Sequence, residues 1–355
     1  MAYTTINKST DYFNTKLYTG TGADNNAQTG VGFQPDFVWI KQRNAMSHRL
    51  YDAIRGVNSA LISNENNAED QYSAYGQFES FDSDGFTVGA GTSNGHGTNE
   101  NGQSIASWNW KAGTTGSGTT TGSGTGKTYS YSVNTTSGFS IVKYVGNGSA
   151  GHTIPHHLGQ APTFTIVKAL GLTESWQVIS SGLAVDKFIQ LNANSAEVSQ
   201  GSYNRFNSTR PSSTVVTLGS DDHTNKNDNN FIMYNFCNVD GFSKSGSYVG
   251  NNNADGTFVY TGFKPAFVLV KPSNYADNWH IIDNKTDTYN PMDTHLFANH
   301  NYAEATSSAY NFDMLSNGFK PRSNNSAFNG SYNYIYMAFA EAPLVGSNNV
   351  PCTAR

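Results

Sequence analysis

Hydrophobic residues fall in short blocks separated by polar, glycine-rich stretches, and no sustained helical spacing runs through them. Two blocks, Phe37-Val38-Trp39-Ile40 and Phe267-Val268-Leu269-Val270, are apolar at every position. A run of this kind predicts a strand buried on both faces or lying in a sandwich core. Aromatic and β-branched residues dominate these blocks, as they do in strands. Between them stand Asp84-Gly85, Asn147-Gly148, Asp240-Gly241, Asp255-Gly256 and Asn317-Gly318. Such pairs accept the positive φ of tight hairpins. The pattern predicts many short antiparallel strands.

The blocks recur. Pro35-Asp36-Phe37-Val38-Trp39-Ile40-Lys41, Pro162-Thr163-Phe164-Thr165-Ile166-Val167-Lys168 and Pro265-Ala266-Phe267-Val268-Leu269-Val270-Lys271 share one pattern, each following a glycine three residues earlier. The proline stands where a strand begins, since a missing N–H costs nothing there. Upstream, Tyr18-Thr19-Gly20, Tyr144-Val145-Gly146 and Tyr248-Val249-Gly250 precede the prolines by 17, 18 and 17 residues. Downstream, Ile105, Ile232 and Ile335 each lie 64 residues beyond the motif lysine, in aromatic strands. Three copies of one unit of about 100 residues are expected, each an antiparallel β-sandwich of jelly-roll or lectin-like type.

The copies are unevenly spaced: Pro35 to Pro162 is 127 residues and Pro162 to Pro265 is 103. The excess of 24 falls on the Gly/Ser/Thr run from Gly113 to Gly126, a composition expected to behave as flexible coil. The expected organisation is an N-terminal arm (1–14), a first sandwich (15–112), a flexible linker (113–128), a second sandwich (129–242), a third (243–346) and a C-terminal tail (347–355).

Composition narrows the function. Aromatic and charged residues each make up 13% of the 355 residues, with a net charge of −5. An aromatic-rich, weakly charged chain is folded rather than disordered, and its polarity comes from Asn, Ser, Thr and Gly. No apolar run reaches the ~20 residues of a membrane helix, and the N-terminus has no apolar signal core. Few lysines and arginines leave no basic footprint for nucleic acid. The two cysteines, Cys237 and Cys352, make neither a disulfide framework nor a metal spacing.

Candidate chemistry is sparse. Gly122-Ser123-Gly124-Thr125-Gly126-Lys127-Thr128 resembles a phosphate loop but begins on Thr121 instead of glycine, and it reads as linker. His152, His156 and His157 lack counterparts in the other copies and read as a surface loop. Asp82-Ser83-Asp84-Gly85, which lacks a closing glutamate, and Asp221-Asp222-His223-Thr224-Asn225-Lys226-Asn227-Asp228 supply oxygens of the kind calcium takes, but they read as polar turns. No glutamate pair recurs among the copies, as a hydrolytic glycosidase would require. No catalytic residue, metal site or cofactor is expected. The remaining candidates follow the motif strands: His48 and Asp52 in the first copy, Trp176 in the second, and Trp279, His280 and Asp283 in the third. Trp beside Asp, Asn or His suits a sugar, whose apolar face covers the ring while polar groups take the hydroxyls. The same pattern describes an ordinary second strand with a buried tryptophan.

The motif Gly-Phe-x-Pro-x-Phe-Val-x-(Ile/Val)-Lys and the strand Tyr334-Ile335-Tyr336-Met337-Ala338-Phe339-Ala340-Glu341 resemble repeats in virion proteins of marine tailed bacteriophages. These are surface or tail-fibre proteins with concanavalin A-like sandwich domains. The second copy departs, with Leu158-Gly159-Gln160-Ala161 before its proline. The resemblance implies a non-enzymatic structural protein on the particle surface, in a tail fibre for host attachment or a capsid decoration. Its partners would be other virion proteins and further copies of itself, a homotrimer by analogy with fibres. Host surface glycans would be partners under the alternative of a lectin module. A polysaccharide depolymerase is a third reading. Nucleic acid and membrane insertion are not expected.

Overall fold

The computed structural model describes residues 4–345 apart from 58, 72, 73, 75, 93–95 and 202. The chain is all-β, built of antiparallel sheets. The expected tail (347–355) and Cys352 lie outside the described residues.

Each motif segment forms a strand: Phe37–Gln42, Phe164–Ala169 and Phe263–Pro272. A closing strand pairs along one side of each: Ser104–Trp110, Asn230–Phe236 and Asn333–Pro343. A leading strand covers the closing strand: Phe13–Thr19, Phe139–Val145 and Ser243–Val249. On the other side the motif strand turns back into a hairpin strand: Arg49–Asp52, Gln177–Ser180 and His280–Asp283. The order leading–closing–motif–hairpin is the same in all three stretches. Register agrees too, with Phe37 opposite Trp110, Phe164 opposite Phe236 and Phe267 opposite Phe339.

A smaller sheet lies across each large one. It comprises Asn26–Thr29, Gly85–Gly89 and Gln77–Asp82 in the first stretch, and Val259–Tyr260, Gly318–Pro321 and Phe312–Leu315 in the third. In the second, His152–Pro155 pairs with Val215–Leu218. A separate core fills each stretch between its sheets, around Val38, Ile40 and Phe86, around Val167, Ile154 and Val216, and around Val268, Val270 and Phe319.

The opposite face of every motif strand is also buried. Side chains alternate across a strand, so Phe37 and Trp39 point away from Val38 and Ile40. They join Phe164 and Ile166, and Phe267 and Leu269, in one shared core. At its middle Trp110, Phe236 and Phe339 form a triangle, with ring centroids 6.2, 5.9 and 5.6 Å apart and every pair edge-to-face. Edge-to-face contacts place a positive ring edge on a negative ring face, and three of them close a cycle.

The Tyr-x-Gly segments form a clasp at the end of each leading strand. The hydroxyls of Tyr18, Tyr144 and Tyr248 donate to the carbonyls of Thr98, Thr224 and Phe328 at 2.6, 2.6 and 2.7 Å. The next residues, Asn99, Asn225 and Asn329, are fully buried, and their side-chain amides hold the following turn. A Cβ on Gly20, Gly146 or Gly250 would stand 2.0–2.3 Å from a carbonyl oxygen, so only glycine fits.

Two expectations about domain organisation are corrected. The Gly/Ser/Thr run is not coil: Thr114–Thr119 pairs with Thr128–Asn134 and extends the second large sheet to eight strands, while Thr121–Gly122 joins the small sheet. Its glycines have a steric reason. Gly116 and Gly118 lie opposite Tyr131 and Tyr129, whose rings occupy the space a Cβ would need. Nor do residues 4–14 form a separate arm. Ile6 is buried in the shared core, and Phe13 stacks on Phe339 at 4.9 Å. Backbone paired in a sheet resists proteases. Limited proteolysis with proteinase K is therefore expected to leave the bonds between 113 and 128 intact, and early cleavage there would contradict the pairing.

Candidate functional site

Of the six residues singled out as a sugar site, Asp52, His280 and Asp283 lie in the hairpin strands, and His48, Trp176 and Trp279 immediately precede them. None is at the surface: His48, Asp52, Trp176 and Trp279 are 0% exposed, and His280 and Asp283 are 1% exposed. A sugar cannot reach them. Five of the six lie instead where one stretch meets the next.

Three corresponding side chains bridge the stretches in one rotational sense. Trp176 Nε1 donates to the Ile62 carbonyl at 2.9 Å, from the second stretch to the first. Trp279 Nε1 donates to the Gln190 carbonyl at 2.8 Å, from the third to the second. His48 Nε2 meets the Phe297 carbonyl at 2.8 Å and closes the cycle from the first to the third. The histidine can do a tryptophan's work because Trp39 Nε1 donates to His48 Nδ1 at 2.8 Å. Indole nitrogen only donates, so Nδ1 accepts and Nε2 carries the proton. Burial and the nearby Lys41 charge keep the His48 pKa well below its usual value.

A second set of contacts runs in the same sense. The Tyr234 hydroxyl donates to Asp52 at 2.7 Å, and Trp108 Nε1 donates to Asp283 at 3.1 Å. At the third corner the corresponding residues are Met337 and Ser180, so donor and carboxylate are absent together. Buried Asp52 also pairs with Arg55 at 2.5 Å. Burial opposes the Arg55 charge, but Asp52, Tyr234 and Glu69 raise its pKa further. Burial raises the Asp283 pKa, while the Thr286 and Lys285 amides and Trp108 oppose that rise.

The motif lysines sit at the far end of this seam, each fully buried. Lys41 donates to the carbonyls of Gln42 and Asn44, Lys168 to those of Ala169 and Leu172, and Lys271 to those of Pro272 and Tyr275. Each ammonium thus ties down the loop after its own strand. Burial lowers Lys41 and Lys271 to about 7 and Lys168 to about 8.

The seam is completed by a motif not singled out from the sequence. Asn64-Glu65-Asn66-Asn67-Ala68-Glu69, Asn192-Ala193-Asn194-Ser195-Ala196-Glu197 and Asn299-His300-Asn301-Tyr302-Ala303-Glu304 share Asn-x-Asn-x-Ala-Glu. The first asparagine accepts from the backbone N–H of His48, Trp176 or Trp279 at 3.0, 3.0 and 2.9 Å. The glutamate backbone N–H donates across the seam, from Glu69 to Leu170, Glu197 to Ser273 and Glu304 to Arg43, at 2.8, 2.6 and 2.8 Å. The glutamates do not signal themselves as a carboxylate pair would, because it is their backbone that makes the recurring bond.

The histidine cluster is largely interior. His152 bonds Asn225 and Thr120, His156 meets the Ser212 carbonyl, and His157 stacks on Tyr131 at 3.8 Å. Among the described residues, no three His, Cys, Asp or Glu are grouped to hold a metal ion. An open cleft of about 550 Å³ lies in the third stretch and is lined by Asp255, Asn290, Asn311, Asp313 and Arg322. Arg322 spans Asp255 and Asp313 at 3.1 and 3.5 Å, and Lys320 also binds Asp255. Tyr289, next in sequence to Asn290, is 82% exposed.

The chain belongs to the family described as Domain of unknown function (DUF7483), whose model matches residues 8–343. That single match spans all three stretches and the Gly/Ser/Thr run between the first two. No curated protein matches the chain, and no solved structure matches it.

Replacing Trp279 by Phe removes one seam bond while keeping most of the ring. The expected loss is about 1–3 kcal/mol, read as a lower urea midpoint. The pH dependence follows from the buried rings. Burial lowers the pKa of His48, His152, His156, His280 and His295, with His156 and His295 at about 4. Below about 6.5 the unfolded chain binds protons that the folded chain refuses, so stability falls with pH from there to about 4. The lysines act with the same sign between about 7 and their unfolded value. The thermal midpoint is therefore expected to be higher at pH 9 than at pH 5, and the reverse order would contradict these assignments.

Proposed function

We propose that this member of the DUF7483 family is a non-enzymatic structural protein on the surface of a virus particle. In this reading its three stretches are copies of one β-sandwich unit, fused in one chain and closed into an intramolecular trimer. The observation that carries it is the shared core. Each copy spends its second apolar face, and nearly all its distinctive polar residues, on holding the other two.

The nested pairing within each copy supports a jelly-roll-like wrap, because the first strand lies beside the last and the second beside the last but one. The resemblance to marine phage virion repeats supports the setting. So does a surface rich in Asn, Ser and Thr, whose hydrogen bonds lose little to salt because few charges are available to be screened. A chain that already contains three copies about an axis can occupy a threefold position alone, which gives a fibre tip or a capsid decoration without a homotrimer.

A lectin reading is kept for the third stretch alone. There the cleft of Asp255, Asp313, Asn290, Asn311 and Arg322 offers mixed donors and acceptors beside exposed Tyr289. Trp176 and Trp279 have no part in it.

The test is detection in purified particles of the virus whose genome encodes the chain. A fixed ratio to the main coat protein, with density for a three-lobed body in electron micrographs, is the expected result. Absence from the particles, or a gene outside any viral genome, would refute the reading.

A further inference from the structure

In the third stretch the hairpin strand and the next strand, Thr294–Phe297, place two histidines in the core between that stretch's own sheets. His280 and His295 are 1% and 2% exposed, with ring centroids 5.0 Å apart. Phe297, Tyr310 and Phe328 pack around both. None of the four ring nitrogens has a hydrogen-bond partner among the described residues. A neutral imidazole has one donor and one acceptor, and leaving such groups unpaired in a core is costly.

The other two stretches indicate what this position accommodates. Register places Arg49 and Gln177 where His280 stands, and Phe188 where His295 stands. Arg49 is 5% exposed. Arg205, 4% exposed, donates to Gln177 and lies 4.2 Å over the Phe188 ring. Two stretches therefore keep an arginine cation in this part of the core, against an aromatic ring in the second. The third has two imidazoles and aromatic faces there instead.

We propose that His280 and His295 form a two-histidine site for a monovalent, soft transition-metal ion, with copper(I) as its natural occupant. Imidazole nitrogen is a good ligand for copper, and aromatic faces attract a cation. The charge of the site selects the ion. Among the described residues no Asp, Glu or Cys is grouped with the two histidines, and the Lys271 charge acts on His280. With no carboxylate to neutralise it, a divalent ion would be poorly held in this core.

The test uses the full chain with both cysteines replaced, Cys237→Ser and Cys352→Ser, so that thiolates do not compete. Copper(I) is titrated anaerobically against bicinchoninate. One equivalent withheld from the chelator, with imidazole nitrogens as nearest neighbours in the X-ray absorption spectrum, is the expected result. His280→Phe/His295→Phe is expected to abolish that equivalent, whereas His300→Ala is expected to retain it. The absorption spectrum of the parent chain decides the matter even where the double variant fails to fold. No retained copper, retention unchanged in a folded double variant, or tighter binding of zinc than of copper(I) would each overturn the site.

Discussion

Everything in this molecule depends on the two-sided burial of three strands. A strand's side chains alternate, so an unbroken apolar run such as Phe37-Val38-Trp39-Ile40 presents two faces that must leave water. The small sheet of each stretch covers one face, through Val38 and Ile40. The other is covered where the three stretches meet. Burying a side chain the size of Phe37 is worth about 1.5–3 kcal/mol, and each stretch brings several of them to the exposed side. Three such faces satisfy one another around Trp110, Phe236 and Phe339.

Apolar contact alone would not fix how the three stretches turn about their common core. The polar seam does. Bonds from Trp176, Trp279 and His48 run in one sense around the cycle, and those from the backbone of Glu69, Glu197 and Glu304 run in the other. Each bond satisfies a carbonyl that would otherwise be buried without one of its partners, which makes a rotated or slipped arrangement expensive. The three stretches differ within this constraint. His48 replaces a tryptophan and keeps the donor by taking its own proton position from Trp39, and where Met337 replaces the donor, Ser180 replaces the aspartate.

The middle stretch carries the largest departure. Its leading strand, unlike Phe13–Thr19 and Ser243–Val249, is not the edge of its sheet, because Thr128–Asn134 and Thr114–Thr119 continue it. A sequence that would be a tether in isolation becomes a sheet edge once Tyr129 and Tyr131 lie across its glycines. The connection between the first two stretches is thereby part of the body, in keeping with a family model that runs through it.

The strands, their turns and the recurrence of their pattern are legible in the sequence, because period-two burial and Asn-Gly or Asp-Gly turns are local properties that each segment expresses alone. It also marked the right residues at the seam: His48, Asp52, Trp176, Trp279 and Asp283 were conspicuous as aromatic and polar groups side by side. Their role was not legible. A tryptophan that donates to a carbonyl over a hundred residues away in sequence, as Trp176 does to Ile62, has the same neighbours in the chain as one that stacks on a sugar. Packing distinguishes them, since burial depends on which second face is brought against it. The same reason holds for the Gly/Ser/Thr run, whose pairing partner and covering rings come from a later part of the chain.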